Sequence, residues 1–314
     1  LIRIELQFRL YFVNKVKFKY IIRPIRYIVE LKYIFRNFFK YAYACSVDFR
    51  HNDNIDGPRD VIFLNYSAYR TLFNSFYFDR LSEPFTDAFE DLHMRTLTLE
   101  VAEVECFNHE YRIPRYSPSI FIQPQLDYLT IKNRLYKKKA NPENDKLDGF
   151  SDFVKFLEEK NHGIMNPNIQ NLRDQVNLIL QIAEYFKNIF NKTKPYAAFL
   201  ANYYSTVGFA FDLACRQRGI VSIEIQHGLA GEYHLAYGKW NKIPDDGYEV
   251  LPSVFWCWSE EEKDAILKWN KSVSNFHRPF VGGDLRLNLW KHQNNDDVKY
   301  YDNRIAQIKS NINK

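Results

Sequence analysis

The sequence is poor in residues on which several protein classes depend. Its 314 residues include only 11 glycines and 4 cysteines, and it has no run of 18 apolar residues. The cysteines show no C-x-x-C spacing, which argues against a zinc knuckle or a disulfide framework and favours reduced thiols in the cytoplasm. Without a long apolar run, no transmembrane helix is predicted. The N-terminal residues also lack the apolar core and cleavage site of a secretory signal peptide.

Several motifs of known chemistry are absent as well. The chain contains no G-x-x-x-x-G-K-[ST] phosphate loop, no G-x-G-x-x-G dinucleotide motif, no G-x-S-x-G nucleophile elbow and no H-E-x-x-H zinc motif. We therefore expect neither a metal site nor a bound cofactor. Aromatic residues, by contrast, are abundant, with 22 Tyr and 26 Phe.

Positive charge is concentrated at the start of the chain. Residues 1–40 hold ten Lys and Arg against two Glu, a net charge of +8, whereas the whole chain carries +5. We predict that residues 1–50 form a basic, aromatic-rich helical segment that is interrupted at Pro24. Cationic heads with Phe, Tyr and Ile bodies suit an anionic membrane surface, and a helix packed on its own domain is the plainer alternative. The near-neutral remainder of the chain argues against nucleic-acid binding.

Strand-like and helix-like patterns alternate over most of the remaining chain. The predicted strands cover residues 60–67, 95–101, 195–204, 220–226, 253–259 and 278–283, and the predicted helices cover residues 76–94, 169–193, 205–219 and 260–270. This alternation predicts parallel strands joined by right-handed crossovers. We therefore expect an α/β fold with a Rossmann-like parallel sheet.

The candidate site is predicted from where these strands end. In an open parallel sheet, ligands bind beyond the carboxyl ends of the strands. The predicted endings are rich in hydroxyl, amide, imidazole and glycine groups: Ser67, Ser205, Thr206, Gln226, His227, Gly228, Ser259, Glu260, Gly282 and Gly283. His234 and Tyr237 follow in a loop, and Arg286 follows the glycine pair.

Most of these groups also have a plain structural explanation. Ser205 and Ser259 are suited to capping the helices that follow them, or to leaving helix amides free for an anion. Gly282 and Gly283 suit either a phosphate or a turning linker. Gly228 would allow a sharp turn or a close approach of the backbone to a ligand.

An ordered set of short motifs carries a family resemblance. The runs "YYSTVGFAFDLACRQRGIVSIEIQHG", "HLAY", "LPSVFWCWSEEEKDAI" and "PFVGGDLRL" follow one another in the second half of the chain. In this order they resemble bacterial surface-polysaccharide glycosyltransferases of the GT-B class, the enzymes of capsule and lipopolysaccharide assembly. The run "FDRLSEPFTDAFEDLHMRTLTLE" (78–100) is similar to their early acceptor-side helix and strand. The resemblance covers roughly residues 60–290.

The resemblance implies a catalytic role for His227. Teichoic-acid polymerases have a comparable histidine–glycine pair at a strand end, where the histidine is thought to deprotonate the acceptor hydroxyl. A histidine suits this task because it titrates near working pH. Alternatively, His227 binds the donor phosphates or is a structural histidine satisfied by its neighbours. In the catalytic interpretation, the other strand-end and loop residues bind substrate, and Gly282, Gly283 and Arg286 bind the donor phosphates.

The same resemblance implies a substrate class and a domain organisation. The chain would move a sugar from a nucleotide sugar to a cell-surface glycan or a lipid-linked acceptor, at the inner face of the membrane. Residues 51–285 would form the acceptor domain and residues 286–314 a linker and C-terminal helix, with the second GT-B domain largely missing. The start at Leu1 rather than Met leaves a fragment of a longer protein as one expectation. A non-catalytic binding or scaffold module with half of the GT-B fold is the alternative.

Overall fold

The computed structural model describes residues 57–73, 76–101, 119–135, 147–159, 168–238, 240, 243–291 and 296–312. The predicted basic helical segment at residues 1–50 lies outside these ranges. The described strands are β1 (Val61–Tyr66), β2 (Arg70–Phe73), β3 (Phe76–Asp79), β4 (Thr96–Val101), β5 (Ser119–Phe121), β6 (Ala197–Leu200), β7 (Val221–Ile225), β8 (Val254–Cys257) and β9 (Arg278–Val281). The described helices are α1 (Glu83–Asp91), α2 (Gln123–Leu135), α3 (Phe150–Glu159), α4 (Ile169–Thr193), α5 (Thr206–Arg218), α6 (Glu260–Leu267), α7 (Leu285–Lys291) and α8 (Asp296–Ile312), and Ser67–Tyr69 forms a short 3-10 helix.

Seven of the described strands form one parallel sheet in the order β5-β4-β1-β6-β7-β8-β9. From β1 the chain adds strands outward through β4 to β5. It then returns to the other side of β1 and adds β6, β7, β8 and β9 in the opposite direction. The order therefore reverses between β1 and β6, as in doubly wound folds. The predicted α/β class with a Rossmann-like parallel sheet is confirmed.

The central strand β1 shows why this sheet forms. Val61, Ile62, Phe63 and Leu64 are each at most 1% exposed. A strand covered by helices on both faces needs apolar side chains in both directions, so its sequence is a continuous apolar run rather than an alternating one. The run "VIFL" meets this requirement at the centre of the sheet.

Aromatic side chains pack on both faces of the sheet. On one face, Phe186 and Phe190 of α4 meet Phe211 of α5 edge-on, with ring centroids 5.1 and 5.5 Å apart. On the other face, Phe85 of α1 lies 5.2 Å from Phe199 of β6. The apolar surface buried by these layers is the main favourable contribution to the stability of the fold.

The prediction of one helix over residues 76–94 is wrong at its start. The first four residues form β3, which pairs antiparallel with β2. The Asp79 carboxylate then accepts hydrogen bonds from the amides of Leu81 and Ser82, both at 2.9 Å, which turns the chain. Helix α1 follows with Pro84 in its first turn, where a proline loses no helical hydrogen bond. The aromatic run at the start of the segment favours a strand, a preference that the helical spacing of apolar residues concealed.

Candidate functional site

The ends of three neighbouring strands, β1, β6 and β7, bring aromatic rings together. Tyr69 follows β1 through the 3-10 helix, Tyr204 follows β6, and His227 follows β7. The ring centroid of His227 lies 5.7 Å from that of Tyr69 and 5.9 Å from that of Tyr204. We name these three residues the switch-point cluster. It adjoins the place where the strand order reverses, which is where open α/β sheets bind ligands.

His227 turns one ring nitrogen toward the cluster and the other toward the interior. Its Nε2 lies 3.1 Å from the Tyr204 hydroxyl. Its Nδ1 lies 3.4 Å from the Ile225 carbonyl oxygen and 3.4 Å from Oε1 of Glu224. Because both neighbours of Nδ1 are acceptors, we assign the proton of the neutral ring to Nδ1. Nε2 is then left to accept a hydrogen bond within the cluster.

Glu224 is a charged residue in the body of a buried strand, and it is only 1% exposed. Its Oε1 accepts hydrogen bonds from the Tyr237 hydroxyl at 2.8 Å and the Asn202 amide at 3.0 Å. Its Oε2 accepts one from the Tyr203 amide at 3.1 Å. A buried carboxylate needs such donors to replace its lost hydration. The ends of β6 and β7 thus hold this negative charge directly beneath His227.

The loop after β7 returns to the cluster through His234 and Tyr237. The His234 ring lies 4.9 Å from that of Tyr237 and 5.9 Å from that of Tyr204. The Ala236 amide donates to His234 Nδ1 at 3.2 Å, and the Trp269 indole donates to the Tyr237 carbonyl at 2.8 Å. Both predicted loop residues therefore adjoin the switch-point cluster, with Tyr237 buried.

The tyrosine hydroxyls near His227 stay protonated at working pH. Burial raises the pKa of Tyr69 to about 12. Burial also raises the pKa of Tyr204, and the negative charge of Glu224 adds to the effect. The pKa of Tyr237 is well above its usual range, again chiefly because of burial. The site therefore combines several neutral tyrosine hydroxyls with the imidazoles of His227 and His234.

Ser205 and Thr206 lie at the start of α5. The Ser205 hydroxyl oxygen accepts a hydrogen bond from the Gly208 amide at 2.9 Å and lies 2.8 Å from the Tyr66 hydroxyl. Ser205 thus has the capping role that was one of its two predicted roles. Its contact with Tyr66 also joins the end of β1 to the start of α5. Ser67, the other predicted serine in this region, begins the 3-10 helix that carries Tyr69.

The Gln226 side chain is turned into the protein and is 3% exposed. Its Oε1 accepts a hydrogen bond from the Trp258 amide at 2.7 Å, and its Nε2 donates to the Gly228 carbonyl at 2.9 Å. Both polar atoms of the side-chain amide, Oε1 and Nε2, are hydrogen-bonded to main-chain groups. Gln226 therefore braces the ends of β7 and β8, which differs from the substrate contact that we predicted for it.

The predicted site glycines have different surroundings. The φ angle of Gly228 is not in the left-handed region, and an added Cβ would meet no described atom within 4 Å. The chain nevertheless bends at Gly228, and the space beside it leaves room for a ligand. At Gly282 an added Cβ would lie 2.0 Å from the Trp256 indole. The amides of Gly282 and Gly283 both donate to the Cys257 carbonyl, so this pair forms a packed turn, one of its two predicted roles.

Ser259, Glu260 and Arg286 follow strands farther along the same edge. Ser259 caps α6, and its hydroxyl donates to the Glu262 carboxylate in a capping box. Glu260 is exposed and pairs with Lys263 at 2.6 Å. Arg286 lies in the first turn of α7, after β9. Ser259 and Glu260 follow β8, which pairs with β7, whereas Arg286 follows β9, two strands from β7 and about 10 Å away at the usual strand spacing. The three residues thus extend the edge step by step away from the switch-point cluster.

Sequence reasoning missed Tyr69, Tyr204 and Glu224 as site residues. The signal for Glu224 is a charged residue inside the apolar strand "IVSIEIQ", three positions before His227. A charge in such a strand is rarely buried without a partner. Tyr204 directly precedes the predicted cap Ser205. Tyr69 had no comparable signal, because the 3-10 helix that positions it was not predicted.

Comparison with known proteins gives one weak structural likeness. No protein-family model matches the chain, and no curated protein sequence matches it. A similar solved structure is UDP-GlcNAc 2-epimerase from Neisseria meningitidis bound to UDP-GlcNAc, with a TM-score of 0.38 and 14% sequence identity. The alignment covers 81% of this chain and 52% of that chain, so this chain spans about half the length of the epimerase. At this TM-score the likeness carries no argument about activity.

Among the described residues, no helix combines the length and apolar character that crossing a bilayer requires. Within the same residues, no three His, Cys, Asp or Glu side chains are grouped so that they could hold a metal ion.

Proposed function

We propose that this chain is the acceptor-binding part of a glycosyltransferase in which His227 removes the proton of the acceptor hydroxyl. The observation that carries the proposal is the 3.1 Å separation between His227 Nε2 and the Tyr204 hydroxyl. An acceptor hydroxyl that takes the place of the tyrosine hydroxyl would lie within reach of a general base. The resemblance to GT-B enzymes supplies the donor class, a nucleotide sugar.

The proposed reaction transfers one proton, forms the new glycosidic bond and breaks the bond between the sugar and the nucleotide. The acceptor oxygen attacks the anomeric carbon of the donor sugar, and its proton passes to His227 Nε2. The bond from the anomeric carbon to the phosphate oxygen breaks, and the nucleotide leaves with the electron pair. The imidazole, which keeps its Nδ1 proton, becomes cationic above the buried Glu224 carboxylate. The opposite charges of the ring and this carboxylate attract each other.

The walls of the site suit a small polar molecule with flat faces. Tyr69, Tyr204 and His234 present rings, and the two tyrosines add hydroxyl groups. Sites for small ligands generally combine aromatic walls with a few placed polar groups. We infer that the acceptor sugar is held here, and that Arg286 and the strand ends beyond β7 are farther from the reacting hydroxyl.

The proposed location is the inner face of the membrane, with residues 1–40 attracted to anionic lipids and the acceptor on a glycan or a lipid carrier. The charge of these residues supports it, because basic segments bind anionic bilayers electrostatically. Removing residues 1–40 should abolish binding to anionic vesicles, and added salt should weaken it in the intact chain. Equal binding to neutral and anionic vesicles would contradict the electrostatic part.

Because the proposal makes this chain the acceptor-binding part, the test restores a donor-binding GT-B half to it and uses a panel of UDP-, GDP- and CMP-sugars with membrane extracts as acceptor source. The readout is nucleotide release and transfer of labelled sugar. His227→Gln should lower turnover by about 10²- to 10⁴-fold, the usual contribution of a general base, with little change in donor affinity. His93→Gln is the matched control, because His93 is exposed and precedes β4 at the opposite edge of the sheet.

Other results would contradict a catalytic His227. If donor affinity and turnover fall together, His227 holds donor phosphate instead. If nucleotide sugars bind without any turnover, and equally to both variants, the chain is a binding module. If only thermal stability falls, the histidine is structural.

A further inference from the structure

Three N–H or O–H groups lie near Oε1 of Glu224, which can accept only about two hydrogen bonds. A carboxylate carries about four lone-pair sites, two on each oxygen. The Tyr237 hydroxyl donates to Oε1 at 2.8 Å and the Asn202 amide donates at 3.0 Å, which uses both of its sites. His227 Nδ1, the third neighbour, remains at 3.4 Å. A charge-assisted N–H···O bond is usually about 2.7–2.9 Å long, so His227 and Tyr237 compete for one oxygen.

The two groups that fill Oε1 differ in how they are held. Asn202 donates through its main-chain amide at the end of β6, next to the Tyr203 amide that donates to Oε2. These two bonds fix the carboxylate to the sheet. Tyr237 donates through its side chain, from the loop that joins β7 to β8. Its hydroxyl can therefore be removed by substitution while the two main-chain bonds keep the carboxylate in place.

We infer that Tyr237 holds the Glu224 carboxylate back from His227, so that the loop after β7 sets how readily His227 takes up a proton. While Tyr237 donates to Oε1, His227 receives only a long contact. Without the Tyr237 hydroxyl, Oε1 can accept a full hydrogen bond from Nδ1–H, which brings the negative charge closer to the ring. Glu224 and Tyr237 are positioning residues, because both act through His227. Only the catalytic consequence rests on the proposed function.

Two substitutions should shift His227 in opposite directions. Glu224→Gln removes the negative charge, so the His227 ring should titrate at a lower pH than in the unchanged protein. Tyr237→Phe frees a lone pair of Oε1, so the ring should titrate at a higher pH. A merely structural role for these residues does not produce shifts of opposite sign.

A matched control comes from the other hydroxyl that fastens the same loop. Tyr203 donates through its hydroxyl to the Ala236 carbonyl, one residue before Tyr237. Tyr203→Phe removes this bond but leaves every donor of the Glu224 carboxylate in place. It should therefore leave the titration of His227 unchanged.

The experiment follows the imidazole nitrogens of the full chain by NMR after labelling with ¹⁵N-histidine, and His227→Gln identifies the His227 signals. Circular dichroism checks that each variant is folded. If Glu224→Gln does not fold, the comparison of Tyr237→Phe with Tyr203→Phe decides the question, because only the first of these variants should shift the titration of His227. Shifts of the same sign in Glu224→Gln and Tyr237→Phe, or an equal shift in Tyr203→Phe, overturn the inference. Opposite shifts in a chain without transferase activity uphold it while the proposed function fails.

Discussion

A Cβ atom added to Gly208 would lie 2.5 Å from the main-chain oxygen of Tyr203. This close approach lets α5 begin directly beside the end of β6. Three consecutive residues then take three different tasks: Tyr203 is fully buried, Tyr204 meets His227, and Ser205 caps the helix. The site geometry on the β6 side therefore depends on a glycine that touches none of the reacting groups.

Gly208→Ala should destabilise the fold because a main-chain oxygen, unlike the end of a flexible side chain, cannot move aside. We expect a loss of about 1–3 kcal/mol in the free energy of unfolding, as for other overpacked positions. Gly228→Ala is the control, since a Cβ there would meet no described atom within 4 Å. Urea unfolding monitored by circular dichroism gives both values. Equal stability of the two variants would show that α5 does not need this close approach.

Gln226→Ala separates the bracing role of this residue from the substrate contact predicted from its position. Removing the amide leaves the Trp258 N–H and the Gly228 carbonyl without their partner. Gly228 is exposed and Trp258 is half-buried, so the loss is that of ordinary hydrogen bonds, about 1 kcal/mol each, and the melting temperature should fall. Sugar transfer, measured below the melting transition with the donor-binding half restored, should persist. Loss of transfer at unchanged stability would restore the substrate-contact role.

The sheet could be predicted from the sequence because its central strands are continuous apolar runs followed by polar endings. That pattern has few explanations other than a parallel sheet covered on both faces. The hairpin of β2 and β3 could not be predicted in the same way, since the aromatic residues of β3 also fit helical spacing. Residues 76–79 form a strand rather than a helix because they pair with β2, and this tertiary contact cannot be read from local sequence.

The sequence could place the strand-end residues at one edge of the sheet, but not the directions of their side chains. Strand endings identify which residues reach the edge, but they do not say which way each side chain points. Gln226 and His227 are neighbours in sequence, yet one faces the main chain of β8 and the other faces Tyr204. Tyr69 reaches His227 only because a 3-10 helix follows β1. The direction of each of these side chains depends on the residues packed around it. It therefore produces no periodic pattern in the sequence from which it could be predicted.

His277 is completely buried and is held in one tautomer. Its Nδ1 lies 2.8 Å from the Pro252 carbonyl oxygen and therefore donates, while its Nε2 accepts from the Tyr248 amide at 2.9 Å. Burial lowers the pKa of His277, and the positive charge of Arg216 adds to the effect. A proton on Nε2 would face the Tyr248 N–H, placing donor against donor.

Stability should therefore fall as the solution becomes acidic. In the unfolded chain this histidine takes up a proton below about pH 6.5, whereas in the folded state it stays neutral to lower pH. The unfolded state then binds more protons, so the free energy of unfolding decreases as pH drops through this window. The stability lost in His277→Gln should be largest above about pH 7 and shrink toward about pH 5. A constant difference between the two proteins across this range would exclude the linkage.

Asp212 of α5 presents the opposite case, an acid buried beneath the sheet at 1% exposure. Burial raises the pKa of Asp212 well above its usual range, and the negative charge of Glu224 adds to the effect. In the unfolded chain the carboxyl loses its proton near pH 4. Above that pH the folded state holds more protons than the unfolded state, so this group makes folding less favourable as pH rises.

Asp212→Asn should remove that penalty, because an amide has nearly the same shape and does not ionise. The variant should gain melting temperature relative to the unchanged chain as pH rises from about 5 to about 8, by roughly 2 °C or more at the upper end. Asp264→Asn, which alters an exposed carboxylate on α6, is the control for the general effect of losing one negative charge. Differential scanning calorimetry at three pH values gives the comparison. If the advantage of Asp212→Asn stays constant with pH, or if Asp264→Asn shows the same rise, the carboxyl of Asp212 is not the group that titrates.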